Sequence, residues 1–314
     1  MRWALVGVAL ALGCGSVRAA ASADGSDHDA GAGSGGATDA HAGGAASMHD
    51  AAADAGPSLP AVGTGHLQLW LTADRGVNCV AGEVTAWADQ SGKNRPVVRG
   101  SHKGPQCAVL LHTLAGVGLP YFSAPGTVAP FDTETLDVDL SFLANTDFTI
   151  FVVEIRWADR GPNNGGDEWI IGTDLASANC PDAGDQISFG YVYYDGYPAL
   201  DYESLCYRPF PGTRGRIPPV AVPPPAPAAY DMVRLEQATS TSPVVWQNGI
   251  KVNVGGSSGG PGTGFVGGSI GRAFTSAEEH RFEGDIAEIV IFDVALTDDE
   301  AAQMATYFKQ HWGL

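Results

Sequence analysis

Positive charge is scarce in this sequence: 17 lysines and arginines stand against 35 aspartates and glutamates, a formal net charge of −18. A chain so acidic repels phosphate backbones, which excludes nucleic acid as an expected partner. Membrane-spanning runs are lacking as well, since the apolar stretch Trp3 to Leu12 falls well short of the roughly 20 residues a transmembrane helix needs. No Cys-x-x-Cys pair and no His-Glu-x-x-His segment occurs, so the close ligand spacings of common zinc sites are missing. Residues 20–60 have neither an aromatic residue nor a lysine or arginine, while carrying six aspartates among Ala, Gly, Ser and His. Such a segment has too little apolar surface to offset the entropy of ordering, and it is expected to be a disordered tether over 20–62.

What is present at the N-terminus is a single cation, Arg2, followed by the apolar run and then small residues, which reads as a signal peptide over 1–19. Two cleavage sites compete. Ala11-Leu-Gly-Cys14 resembles a bacterial lipobox, in which Cys14 is lipidated and becomes the new N-terminus; Val17-Arg-Ala19 is an ordinary peptidase site. Cleavage before Cys14 is favoured, because it leaves an even set of Cys79, Cys107, Cys180 and Cys206 for an oxidising compartment. The expected location is therefore an outer-membrane or cell-surface lipoprotein that touches the membrane through its lipid anchor alone, with a secreted soluble protein as the alternative. Four cysteines allow three pairings; near-neighbour pairing, Cys79 with Cys107 and Cys180 with Cys206, would close loops worth roughly 3 to 4 kcal/mol each. Zinc binding by these cysteines is the other alternative.

From Gly65 onward short β-rich runs alternate with Gly, Pro, Asn and Asp, the pattern of a sandwich or barrel. In Glu134–Leu140, Leu136, Val138 and Leu140 alternate with Thr135, Asp137 and Asp139, predicting a half-solvated strand. Phe148–Arg156 is apolar on both faces over its first half, as a central covered strand would be. Gln186–Tyr194 places Ile187, Phe189, Tyr191 and Tyr193 on one face. In Val244–Val252, Asn248-Gly249 supplies the positive φ values of a two-residue hairpin turn. The proline-rich run 217–227, within an expected loop insertion over 211–229, lacks the amide donors of a ladder and is expected as a polyproline excursion. The glycine-rich run 255–264 follows a hairpin rather than opening a helix, so it does not meet the structural condition for binding phosphate. Thr297-Asp-Asp-Glu300 is a capping box, followed by an apolar stripe of Ala301, Met304, Ala305 and Phe308, which predicts one terminal helix lying against the sheets.

The two ends of the ordered part carry a resemblance. Glu283-Gly-Asp-Ile-Ala-Glu-Ile-Val-Ile-Phe292 with the helix closing on Gln310-His-Trp-Gly-Leu314, together with His66-Leu-Gln-Leu-Trp-Leu-Thr-Ala-Asp74 and Val84-Thr-Ala-Trp-Ala-Asp-Gln-Ser-Gly92, resembles the LamG-like jelly rolls of the concanavalin A-like lectin/glucanase superfamily. The resemblance implies an all-β fold over 63–314: an antiparallel two-sheet jelly-roll sandwich with a short C-terminal helix, its last strand beside its first. It implies a non-catalytic recognition module for a glycan or cell-surface polymer, supported by calcium.

Candidate sites follow from residue chemistry. Glu283, Asp285 and Glu288 have the E-x-D-x-x-E spacing that looks like the catalytic strand of laminarinase-type retaining glycosidases, so a glycan hydrolase is the alternative function. On an unbroken strand Glu288 faces away from Glu283 and Asp285, and that chemistry needs a bulge after Asp285. As calcium ligands the family pattern suggests Asp89, Asp285 and Glu288, whereas turn chemistry explains Asp89 equally well. Tyr194, Tyr197, Tyr202 and Trp169 form an aromatic concentration suited to stacking on sugars. A third possibility is a structural or adhesion component that binds a protein partner.

Overall fold

A computed structural model of the chain describes residues 58–100, 103–107, 112–123, 134–156, 168–175, 186–194, 197–205, 231–237, 244–252, 265–272 and 282–314. They belong to one unit, Ala55–Leu314. The signal segment with Cys14, most of the tether, Cys180, Cys206, and the proline- and glycine-rich runs lie outside the described residues.

The strands in chain order are β1 (Leu67–Thr72), β2 (Val77–Val80), β3 (Glu83–Trp87), β4 (Val97–Val98), β5 (Thr113–Leu114), β6 (Val117–Gly118), β7 (Tyr121–Phe122), β8 (Leu136–Val138), β9 (Phe148–Arg156), β10 (Glu168–Leu175), β11 (Gln186–Tyr194), β12 (Tyr197–Leu205), β13 (Asp231–Gln237), β14 (Val244–Gln247), β15 (Ile250–Val252), β16 (Phe265–Ile270) and β17 (Gly284–Phe292), followed by α1 (Asp298–Trp312). One sheet runs β1-β17-β9-β13-β14-β15, with β7 also on β17; the other runs β12-β11-β10-β16-β8-β4-β3-β2; β5 and β6 pair apart. Every pair of named strands is antiparallel. The fold is the expected all-β sandwich with a short terminal helix, and β17 lies between β1 and β9.

Alternation explains the core. Leu69 and Leu71 of β1, Ile289 and Ile291 of β17, and Ile150 and Val152 of β9 are buried, and they share one cluster with Leu136, Val138 and Phe189 from the other sheet. Every residue of β9 and β17 is buried, because the second face of this sheet is covered as well. Its cover includes α1: Phe308 packs on Phe151 with ring centroids 5.6 Å apart. In and around β8 the predicted inward residues Leu136, Val138 and Leu140 are buried, but Thr135, just before the strand and expected outward, is buried too. Packing also starts before the expected tether boundary, since Val62 is buried and Leu59 packs on the core.

Local signals act as their chemistry requires. Asn248 and Gly249 take φ of 52° and 79° and turn β14 into β15. Thr297 accepts from the amide of Glu300, whose carboxylate returns to the amide of Thr297, and Gly313 ends α1 with φ 72°. The buried stripe of α1 is Ala301, Met304, Tyr307, Phe308 and Trp312, so two polar-tipped aromatics join the predicted aliphatic face. Cys79 and Cys107 form the expected disulfide, tying edge strand β2 to the segment whose Pro105 carbonyl accepts from Val84. Gly284 has no room for a side chain, since a Cβ there would lie 2.1 Å from the Ile155 carbonyl oxygen.

Candidate functional site

The bulge in β17 decides where its carboxylates point. Asp285 pairs with Ile155 and Ile286 with Glu154; the register then shifts, and Glu288 pairs with Val153. Ala287 is the extra residue, so Glu288 turns onto the face that already carries Asp285. This is the bulge a hydrolase would need, yet it delivers Glu288 beneath α1. There one carboxylate oxygen, Oε1, accepts from Trp70 Nε1 at 2.6 Å and from the Tyr307 hydroxyl at 3.0 Å. The other, Oε2, accepts from Trp312 Nε1 at 2.6 Å and lies 3.3 Å from His311 Nδ1. Glu288 is 0% exposed.

His311 completes this clasp, its Nε2 3.2 Å from Asp74 Oδ2 in the turn after β1. Burial alone would discharge the ring, but the bonds to Asp74 and Glu288 outweigh it and raise its pKa to about 9, so it is an imidazolium at neutral pH. Burial likewise works against the Asp74 carboxylate, and bonds from His311 and Thr72 more than offset it, holding Asp74 below its ordinary value. The Tyr307 phenol is pushed up by burial and by the Glu288 charge, which keeps it a donor. Arg75 lies over the Trp70 ring at 4.8 Å and adds positive charge at the rim.

Asp285 has a different neighbourhood. Fully buried, it is 2.7 Å from His112 Nδ1, and the imidazole stacks on Tyr121 at 3.9 Å between centroids. Tyr121 is raised to about 12, chiefly by burial and next by the half-buried Glu283. Glu283 and Asp285 therefore gather at the β7 end of the strand, while Glu288 serves the helix.

Asp89 is occupied by its own turn. Its carboxylate accepts the amides of Trp70, Ser91 and Arg95 and the hydroxyl of Ser91, at 2.8 to 3.0 Å. Among the described residues no group of three His, Cys, Asp or Glu is placed to hold a metal ion. Asp89, Asp285 and Glu288, expected together as calcium ligands, sit in three separate neighbourhoods: Asp89 in its own turn, Asp285 beside His112 and Glu288 beneath α1.

The aromatic candidates also separate. Trp169 is 0% exposed, so it offers no stacking surface; its register opposite Gly190 puts it on the face away from Tyr191. Tyr194 and Tyr197 are paired at the closing end of the β11–β12 ladder, and Tyr202 pairs with Phe189.

Asn248-Gly249 marks the β14–β15 hairpin by its turn, and nothing in that turn singles out Trp246. Arg234, Trp246 and Lys251 are direct cross-strand partners in β13, β14 and β15, and Phe151 pairs with Arg234, so all four share the face on which α1 lies. The Arg234 guanidinium lies 3.6 Å over the Trp246 ring, and Lys251 Nζ is 5.6 Å from the same ring. Arg234 is buried and ion-paired with Glu236, Trp246 is half-buried and Lys251 is exposed. The signal was an aromatic two residues before Asn-Gly with a lysine two residues after it.

No protein-family model matches the chain, and no curated protein matches it. Solved structures similar to it include domain 4 of AbnA, an extracellular GH43 arabinanase from Geobacillus stearothermophilus in complex with arabinotriose (12% identity, TM-score 0.47, 76% of this chain and 98% of that one). They also include Trypanosoma rangeli sialidase in complex with sialic acid (12%, 0.44, 81% of this chain and 35% of that one) and the binding domain of Paraclostridial Mosquitocidal Protein 1 (14%, 0.44, 77% and 52%). The chain spans about a third of the sialidase and about half of the mosquitocidal binding domain. At these identities and TM-scores none of them assigns a function to this chain.

Proposed function

We propose that the chain is a non-catalytic recognition module that binds a glycan or cell-surface polymer and is displayed on a lipid-anchored tether. One observation carries the non-catalytic part: Glu288, one of two carboxylates a retaining hydrolase would require, is fully buried and held by donors from β1 and α1. A carboxylate saturated with donors under a helix has no path to a sugar. Recognition is the remaining use of the LamG-like pattern, and the acidic tether with Cys14 supports display from an outer envelope.

The test is a glycan array probed with the full chain, with reducing-end release assayed alongside. Binding without turnover is the expected result; turnover of a β-glucan that disappears in Glu283→Gln overturns it. An empty array with a reproducible cross-link to one protein favours an adhesion role instead. Anchoring is checked by labelling with a radioactive fatty acid in a bacterial host, where incorporation is lost in Cys14→Ala.

A further inference from the structure

We infer that the outer face of the β13–β14–β15 edge, centred on Trp246 with Lys251 and Arg234, binds a carboxylate-bearing sugar unit of a polysaccharide; this rests on the recognition reading above and names its site and ligand class.

The face is built from cross-strand register. Pairing of Arg234 with Trp246 and of Trp246 with Lys251 sets the ring between two cations on a hydrogen-bonded sheet rather than on a loop. The buried Arg234 guanidinium, packed against the ring at 3.6 Å, fixes the indole orientation before a ligand arrives. Its Nε is buried and meets no hydrogen-bond acceptor among the described residues, although Nη2 is paired with Glu236. Lys251 is exposed and forms no ion pair among the described residues. Glu236, two residues on along the same face, compensates Arg234, so Lys251 is the cation beside the half-exposed indole that is left for a ligand in a chain with twice as many acidic as basic residues.

Ligand chemistry follows from these parts. An indole face takes the C–H face of a pyranose, and an ammonium beside it takes a negative substituent on that ring. Lys251 is a mobile point charge on a flexible stem, suited to a carboxylate at the edge of a stacked sugar. Neutral sugars would use the ring and leave the ammonium unpaired, so the site prefers the acid to its neutral ester.

The experiment titrates the full chain with polygalacturonate, with the same polymer methyl-esterified, and with dextran sulfate, and repeats the series for Trp246→Ala, Lys251→Gln and Lys251→Arg. Melting temperatures separate lost binding from lost folding. The acid polymer is expected to bind about tenfold more tightly than its ester, with the advantage lost in Lys251→Gln, kept in Lys251→Arg, and all binding weakened about tenfold or more in Trp246→Ala. Equal binding of acid and ester, equal binding of dextran sulfate, or wild-type binding by folded Trp246→Ala overturns the assignment. If an array finds glycans whose binding ignores Trp246, this site fails while recognition stands. If no glycan of any kind binds, both fail.

Discussion

Two halves of one sheet face treat their polar groups in opposite ways. Over β1 and β17 the face is closed by α1, and Glu288 meets the indoles of Trp70 and Trp312, the phenol of Tyr307 and the imidazole of His311. Over β13, β14 and β15 the same face carries Trp246 half-exposed and Lys251 exposed, with cations against the ring. Both halves are rich in tryptophan and charge. In the first the donors and acceptors consume one another and yield stability; in the second, charge remains for a ligand. A tryptophan near a carboxylate or a cation thus says little until its exposure and partners are known.

The comparison is broken most severely at Glu288. Glu288→Ala leaves two indole donors and a phenol without their acceptor and the His311 imidazolium with Asp74 alone, and is expected to cost about 3 to 5 kcal/mol, measured by urea unfolding. A loss below about 1 kcal/mol would show that the clasp is not the anchor of α1. Replacing both Cys79 and Cys107 by alanine is expected to cost about 3 to 4 kcal/mol through the freed loop, without altering ligand binding at the distant hairpin.

His311 sharpens the contrast through pH. Its folded pKa is raised from 6.5 to about 9, so the stability it supplies is complete below about 6.5 and is lost as pH rises through about 9. Groups facing it are Asp74 from the β1 turn, Glu288 from β17, Tyr307 on its own helix, and Arg75 nearby. The protection factors of the α1 amides, exchange rates corrected for intrinsic base catalysis, are expected to fall between those pH values in the wild type and to lose that step in His311→Gln. Thr297→Ala removes the N-cap bond and is expected to cost about 1 kcal/mol in thermal unfolding. The smallest effect is expected at Asp89: Asp89→Asn keeps an oxygen that accepts from the turn amides and is expected to cost less than about 1 kcal/mol in thermal unfolding, whereas a larger loss that added calcium reverses in the wild type alone would mark Asp89 as a calcium ligand.

Much of the fold was legible because its signals are local. Alternation gave the inward residues of β8, two-sided apolarity gave β9 as a covered strand, Asn248-Gly249 gave the hairpin, and Thr297 with Glu300 gave the start of α1. The candidate site was less legible. Asp89 has the same chemistry as a metal ligand and as a turn residue, and only its four donors distinguish the two. Trp169 looks like a stacking ring until its burial is known. Spacing does not mark Tyr307 and His311, because their value lies in partners more than 200 positions away for His311 with Asp74, and across the β17 bulge for Tyr307 with Glu288.

By itself the sequence determined the class of architecture, the capped terminal helix, the hairpin and the net acidity, since these depend on residue periods, turn stereochemistry and summed charge. Tertiary structure alone decided which carboxylate is spent on packing and which aromatic stays within reach of a ligand. A bulge of one residue reverses a strand face, and burial is set by what another segment lays on top; neither is written in the spacing of the residues concerned.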